Sequence, residues 1–264
     1  MMQGSKLLYI PDCQIHKGTP INHLWWLAYY ALDKGPDRIV WAMDFWDLPS
    51  LSSYDEKGSK SFEGRRLQDD IDAGHHGMEI VQRIWAREGW APQQDATLGN
   101  HEYRYHRALE RDPAIMEGRF PNNDPFQLHQ YGIKAHKFLD VVTIEGIRFS
   151  HFFPHNNRGR VMQQKNGAPS ALAQVQRQMC SATAGHMQGL DTAIMQTDTG
   201  LARGLIAGSF YLHNEPYIKG RQNYWRGLIL KHNVRRGNYN LCEVPIDWLE
   251  SKYRRMTPRG TRVA

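Results

Sequence analysis

Gly99-Asn100-His101-Glu102 follows the short run Ala96-Thr97-Leu98. An apolar strand that stops at glycine gives way to a tight loop, and this loop presents two side chains suited to different work. Asn100 offers a carboxamide oxygen to a metal, and His101 a ring nitrogen that titrates near neutral pH. Four other predicted strand ends carry comparable groups: Asp12-Cys13-Gln14, Asp44-Phe45-Trp46-Asp47, His151, and Gly185-His186-Met187-Gln188. Carboxylates, amides and imidazoles gathered at strand ends form a donor set for divalent cations. The plainer reading of the tetrapeptide alone, a turn that happens to contain Asn and His, loses ground in that company.

The elements that must position these groups are legible in outline. Lys6 to Ile10 reads as a strand ending at Pro11-Asp12. Ile21, Leu24, Trp25, Ala28 and Leu32 recur at helical spacing until Gly35-Pro36 stops them. Arg38 to Met43 is the next strand, ending at Asp44. This βαβ opening calls for a parallel pair with a right-handed crossover, which sets Asp12 and Asp44 side by side at the carboxyl ends of neighbouring strands. Ser50 to Lys60 reads as a loop. Ser61 is a candidate N-cap for a long helix to about Glu88, in which His75-His76 makes a surface pair. Trp90 to Asp95 reads as a linker and Glu102 to about Glu117 as helix, with Asn122 to Gln130 undecided. From Phe138 the period changes to two, and Val141 to Ser150 gives a hairpin that delivers His151. Helix from Ala168 to Gln178, a strand over Ser181 to Ala184, a hairpin around Asp198-Thr199-Gly200, and strands at Trp225 to Lys231 and Tyr239 to Val244 complete the prediction. No internal repeat or low-complexity segment interrupts it, so residues 1–250 read as one domain and 251–264 as a basic C-terminal tail.

Composition excludes several classes. At 264 residues, 41% hydrophobic and 23% charged, the chain suits a large α/β domain. No apolar run approaches the length that spans a bilayer, and the polar start MMQGSK is not a signal peptide. Cys13, Cys180 and Cys242 lack paired spacing, which suits a reducing cytosol better than a disulfide scaffold. The net charge of +6 is concentrated: Lys252, Arg254, Arg255, Arg259 and Arg262 account for five units, leaving the body near +1. Such a tail binds phosphate backbones nonspecifically or is a solvated, frayed end.

The ordered motifs from about Ile10 to Gln188 resemble those of the calcineurin-like metallophosphoesterases, whose pattern runs DxH, GDxxD, GNHE, a lone His, then GHxH. Pro11-Asp12-Cys13-Gln14, Gly185-His186-Met187-Gln188 and Leu205-Ile206-Ala207-Gly208-Ser209-Phe210-Tyr211 look most like the bacteriophage-encoded branch of that family. The resemblance implies an α/β fold of two mixed sheets packed as a sandwich and flanked by helices, with two divalent metal ions at the strand ends. It further implies that Asp44 bridges both ions, that Asn100, His151 and His186 complete one site, and that Asp12 with Gln14 and Gln188 forms the other. His101 would touch the scissile phosphate.

Three departures stand out. Gln14 and Gln188 both replace histidines of the pattern, and both fall on the same ion. A matched pair of amides reads as a redesigned, all-oxygen site suited to Mg²⁺ or Mn²⁺, beside a neighbour whose two imidazoles accept Mn²⁺, Fe or Zn²⁺. Mn²⁺ is the ion expected to serve best, with the all-oxygen position weakly held. Met43 stands where the pattern has glycine, and its side chain is expected to crowd the loop that carries Asp44. Around these groups, His16 either substitutes for the missing ligand or is a loop histidine bound to backbone or water. Asp47 is expected to act behind the ligands or as a helix cap. Arg104 either steers an anionic substrate or makes a structural ion pair. His106 reads as exposed, and Tyr211, His213 and Tyr217 as candidates for the pocket rim.

The expected activity is hydrolysis of a phosphate mono- or diester by a metal-activated water, with a nucleotide or nucleic acid among the possible substrates and the cytoplasm (of a host cell, for a phage protein) as the compartment. A DNA-processing nuclease of the same superfamily is the alternative within the class, opposed by the near-neutral body. A non-catalytic metal-binding module is the alternative outside it.

Overall fold

The computed structural model describes residues 4–53, 58–60, 62–154, 170–198, 200–214, 224–258 and 261–263. In chain order the elements are β1 (Ser5–Ile10), α1 (Asn22–Lys34), β2 (Arg38–Trp41), α2 (Leu67–Arg87), β3 (Gln93–Thr97), α3 (Glu102–Arg111), α4 (Pro113–Met116), β4 (Ile133–His136), β5 (Val142–Ile144), β6 (Ile147–Phe149), α5 (Ala171–Gln178), β7 (Ala182–Ala184), β8 (Leu190–Thr197), β9 (Gly200–Ala207), β10 (Gly227–Arg235), β11 (Asn238–Pro245) and α6 (Ile246–Tyr253). They make two mixed sheets, ordered β11-β10-β1-β2-β3-β4 and β5-β6-β7-β9-β8. The fold is therefore the α/β, two-sheet arrangement that the sequence reading expected.

Alternation along β1 explains its position. Leu7 and Tyr9 join a core shared with Ile144, Ile147, Phe149, Leu205 and Ala207 of the second sheet, whereas Leu8 and Ile10 join a core with α1 and α2. A strand buried on both faces reads as a continuous apolar run, and β1 is central in its sheet, parallel to β2 and antiparallel to β10. β1, β2 and β3 run in parallel, as do β6, β7 and β9. Their carboxyl ends carry the candidate site. α1 stops where expected: Gly35 takes a left-handed φ of 52° and returns its N–H to Ala31 O.

Several boundaries differ from expectation, each for a local reason. α2 begins at Leu67 because Phe62 to Gly64 form a turn, with Gly64 at φ +77°, and its N-terminus carries Asp69 and Asp70; Ser61 lies outside the described residues. The helix after Glu102 breaks at Asp112-Pro113, where φ of Asp112 is −141°. The second half of the expected linker, Gln93 to Asp95, is instead the start of β3. Its polarity hid it: Gln94 accepts the Trp41 indole N–H at 3.1 Å, and Asp95 lies 3.0 Å from Arg38 and 2.8 Å from His136. β4, which carries that histidine, went unrecognised because only Ile133 of its four residues is buried. His75 is no surface residue: its two ring nitrogens meet the Tyr131 hydroxyl at 2.9 Å and Pro125 O at 2.8 Å, and His76 alone is exposed.

The basic C-terminal stretch is docked rather than frayed. Tyr253 is buried at the end of α6, and Val263 is buried with Gly18 N donating to its carbonyl at 3.0 Å and its own N–H reaching Thr19 O at 3.2 Å. Lys252 pairs with Asp33 at 2.8 Å. Apolar residues placed among the cations tie this stretch down, which net charge alone does not reveal. Arg259 lies outside the described residues. Among the described residues no helix is long and apolar enough to cross a membrane.

Lys231 of β10 is fully buried between the sheets. Its Nζ donates to Thr183 Oγ1 and lies 4.1 Å from the Tyr239 ring centre. Burial, helped by the Arg203 charge, drives its pKa well below the usual lysine value. Folding therefore favours the neutral amine, and stability rises with pH between the lowered folded pKa and the unfolded value near 10.4. Lys231→Met should raise unfolding stability at pH 7 by on the order of 1–2 kcal/mol and remove that rise, as read from urea denaturation at pH 7 and pH 9. An unchanged or lowered stability at pH 7 would refute this.

Candidate metal centre

Asp44 follows β2, Asn100 and His101 follow β3, His151 follows β6, and His186 follows β7. All five emerge at carboxyl ends of parallel strands. His151, fully buried, directs Nδ1 to Ala42 O at 2.8 Å, so that nitrogen carries the proton and Nε2 presents its lone pair in the neutral ring. Nε2 lies 3.0 Å from Asn100 Oδ1, 3.2 Å from Asp44 Oδ2 and 3.3 Å from His186 Nδ1. Asp44, His151 and His186 offer ligand atoms within 4.8 Å of one another. Lone pairs crowded this closely in a dry site repel unless a positive charge sits among them. The site's ionisation says the same. Burial opposes charge on His151, yet Asp44 raises its pKa to about 9, so a proton is held where a metal ion would otherwise serve. Burial, and then the His151 charge, depress His186 to about 3, which keeps its ring neutral and available as a ligand. Burial alone would raise Asp44, but His101 and His151 hold it below the usual carboxylate range. The donor set of one carboxylate, one amide oxygen and two imidazoles fits a borderline divalent ion.

The loops that carry these groups are unusually strained. Met43 and Asp44 adopt φ of +62° and +46°, and Gln14, His186 and Gln188 adopt +46°, +66° and +57°. Left-handed backbone costs a non-glycine residue about 1–2 kcal/mol, and such costs cluster at functional sites. Met43 does not crowd the loop as expected. Its side chain packs into the helix-side core, and the departure from glycine appears as backbone strain instead. Two glycines permit the close packing. A Cβ on Gly99 would lie 2.0 Å from Asp44 Oδ1, and one on Gly185 2.5 Å from Asp12 Oδ1.

Backbone donors orient both aspartates. His101 N donates to Asp44 Oδ1 at 2.9 Å and His186 N to Asp12 Oδ1 at 3.1 Å, so each keeps its Oδ2 available. Asp12 is fully buried, which raises its pKa to about 7 despite the His151 charge, and its Oδ2 has no partner among the described residues. Gln14 is buried with Oε1 likewise unpartnered. Gln188, expected as a ligand beside them, instead accepts the Tyr211 hydroxyl proton on Oε1 at 2.9 Å. Tyr211 is wholly buried beneath the Arg226 guanidinium, so it is no rim residue, and Tyr217 lies outside the described residues.

His101 lies against the cluster, with Nε2 3.7 Å from Asp44 Oδ2 and Nδ1 2.8 Å from Asp47 Oδ1. Burial works against its charged form, but Asp44 and the Asp47 contact raise its pKa from the usual value. Asp47 is thus a positioning group for His101 rather than a helix cap. Arg104 is buried and committed to Asp47 O at 2.7 Å, Leu48 O at 3.3 Å and His101 Nε2 at 3.0 Å. The ion pair that was one of the two alternatives expected for it is present with Asp47 Oδ1 at 3.8 Å. His16 turns Nδ1 to Lys17 O at 2.9 Å and stands outside the cluster, and His106 is exposed.

Glu102 carries a role that the sequence reading left unassigned. Its buried carboxylate accepts four backbone N–H groups: Asp44 at 3.0 Å and Gly99 at 2.9 Å on one oxygen, Phe45 at 2.9 Å and Trp46 at 3.1 Å on the other. Burial and the Asp44 charge push its pKa up, but the four donors fill both oxygens, and only the ionised form accepts them all. An acid three residues past the loop glycine was the available signal. No family model matches the chain, and no curated protein matches it.

Proposed function

We propose that the chain is a metal-dependent phosphoesterase, hydrolysing a phosphate mono- or diester, of the calcineurin-like metallophosphoesterase type suggested by its motifs. The observation that carries this reading is the convergence on His151 Nε2 of Asn100 Oδ1, Asp44 Oδ2 and His186 Nδ1 within 3.3 Å. Asp44, Asn100, His151 and His186 would hold one divalent ion, Mn²⁺ by preference, and Asp12 and Gln14 would face a second. A divalent ion bound there supplies Lewis acidity toward the phosphoryl oxygens and a lowered pKa for water. The chain's own residues do the rest. Asp44, oriented by His101 N, holds negative charge between the two positions. His101, its pKa raised by Asp44 and Asp47, would bring positive charge to the phosphate, and Nε2, to which Arg104 now donates, would take up the proton destined for the leaving alkoxide on turning from that guanidinium. Arg104 and Asp47 fix the plane of that ring. The docked C-terminal stretch and near-neutral body favour a small phosphoester over a polynucleotide, and the cytoplasm is the compartment we assign.

The test is metal analysis combined with a phosphoester panel under Mg²⁺, Mn²⁺, Zn²⁺ and chelator. Bound Mn²⁺ with chelator-sensitive turnover of bis(p-nitrophenyl) phosphate or a monoester is the expected result. Bound ion without turnover of any ester would leave a metal-binding module, and no bound ion would end the reading.

A further inference from the structure

Asp12 forms a parallel bridge with Ser209, and Phe210 N donates to Asp12 O at 2.7 Å. Directly opposed residues on paired strands project their side chains to the same side. Asp12 and Ser209 are both wholly buried and Gln14 nearly so, yet Asp12 Oδ2, Gln14 Oε1 and Ser209 Oγ have no hydrogen-bond partner among the described residues. The hydroxyl does not donate to the carboxylate beside it. Buried polar atoms left without a partner are costly unless something binds them, and the bridge sets two of these, on Asp12 and Ser209, on adjacent strands. Meanwhile Gln188, the amide expected to complete this group, is held by Tyr211, which Arg226 covers at 4.9 Å and His213 stacks against at 4.6 Å.

We propose that Asp12, Gln14 and Ser209 form an oxygen-only cation site in which Ser209 serves and Gln188 does not. The proposal rests on the metal reading of the neighbouring nitrogen-containing centre. A carboxylate, an amide oxygen and a hydroxyl are hard, weakly charged donors. They select Mg²⁺ or Mn²⁺ over Zn²⁺, and leave the ion part of its water shell. The two positions should therefore differ in affinity, one tight and tolerant of soft metals, the other weaker and confined to hard ones.

Calorimetric titration of the full chain with Mn²⁺ tests this without reference to turnover. Two classes of site are expected. Ser209→Ala should weaken the weaker class by about tenfold or more, as removal of a group at a metal does, while Gln188→Ala leaves both classes within about twofold. Ser209→Cys keeps the residue's size but offers sulfur, so it should lose Mn²⁺ at that class and gain Cd²⁺. The gain should be visible as thiolate-to-cadmium ultraviolet absorption beyond that of the wild type with its three cysteines, circular dichroism in chelator verifying the fold. A weak class lost in Gln188→Ala but kept in Ser209→Ala overturns the proposal. So does a single ion per chain that His151→Ala abolishes, which spares the nitrogen-containing centre. No bound ion in the wild type fells both readings.

Discussion

Glu102→Ala is expected to lower unfolding stability by roughly 4–8 kcal/mol, since four buried N–H donors lose their acceptor at about 1–3 kcal/mol each, less what entering water restores. That loss is comparable to the whole margin of an ordinary domain. In differential scanning calorimetry with chelator present, the midpoint should fall by roughly 10–20 °C. Glu102→Gln separates charge from size. Its amide keeps one oxygen for two donors and turns an NH₂ toward the other two, so more than half of the loss should persist. A Glu102→Gln protein within about 0.5 kcal/mol of the wild type, the range of an ordinary surface substitution, would show that the carboxylate does not tie the Asp44 loop to the Gly99 loop.

The second large effect concerns chemistry rather than folding. His101→Ala should cut turnover by about 10²–10⁴, the usual contribution of a positioned acid, with Mn²⁺ content unchanged because the ring is not among the proposed ligands. Asp47→Asn weakens the support on Nδ1 and should lower turnover less, while shifting the basic limb of the pH profile downward as His101 loses the charge that raises its pKa. Full turnover in His101→Ala, or loss of bound metal from it, would contradict the role assigned here.

The parts of the fold legible in the sequence are those where one periodicity held long enough to be read. β1, α1, β2 and the hairpin strands β5 and β6 announce themselves because burial on one or both faces fixes the residue types. The first half of β3 and the whole of β4 did not, because Gln94, Asp95 and His136 satisfy their polar groups by pairing within the sheet. The group of residues at the centre was equally readable, since Asp44, Asn100, His151 and His186 lie where strands end. Which atom each side chain presents was not. The withdrawal of Gln188 toward Tyr211 and the pairing of Asp12 with Ser209 depend on contacts between residues far apart in sequence. Left-handed turns at Met43 and Asp44 also escape a pattern that expects glycine at the first of them.

The neighbour of β1 on one side is β10, with Ser5 and Val234 facing each other across 229 residues of sequence. A ribosome must therefore deliver the chain through β10 before β1 can be flanked on both edges. Until then Leu7 to Ile10 remain an open apolar edge, the kind of surface that chaperones hold during synthesis. Completion of this sheet should therefore be slow, with a rate set by a very distant chain closure.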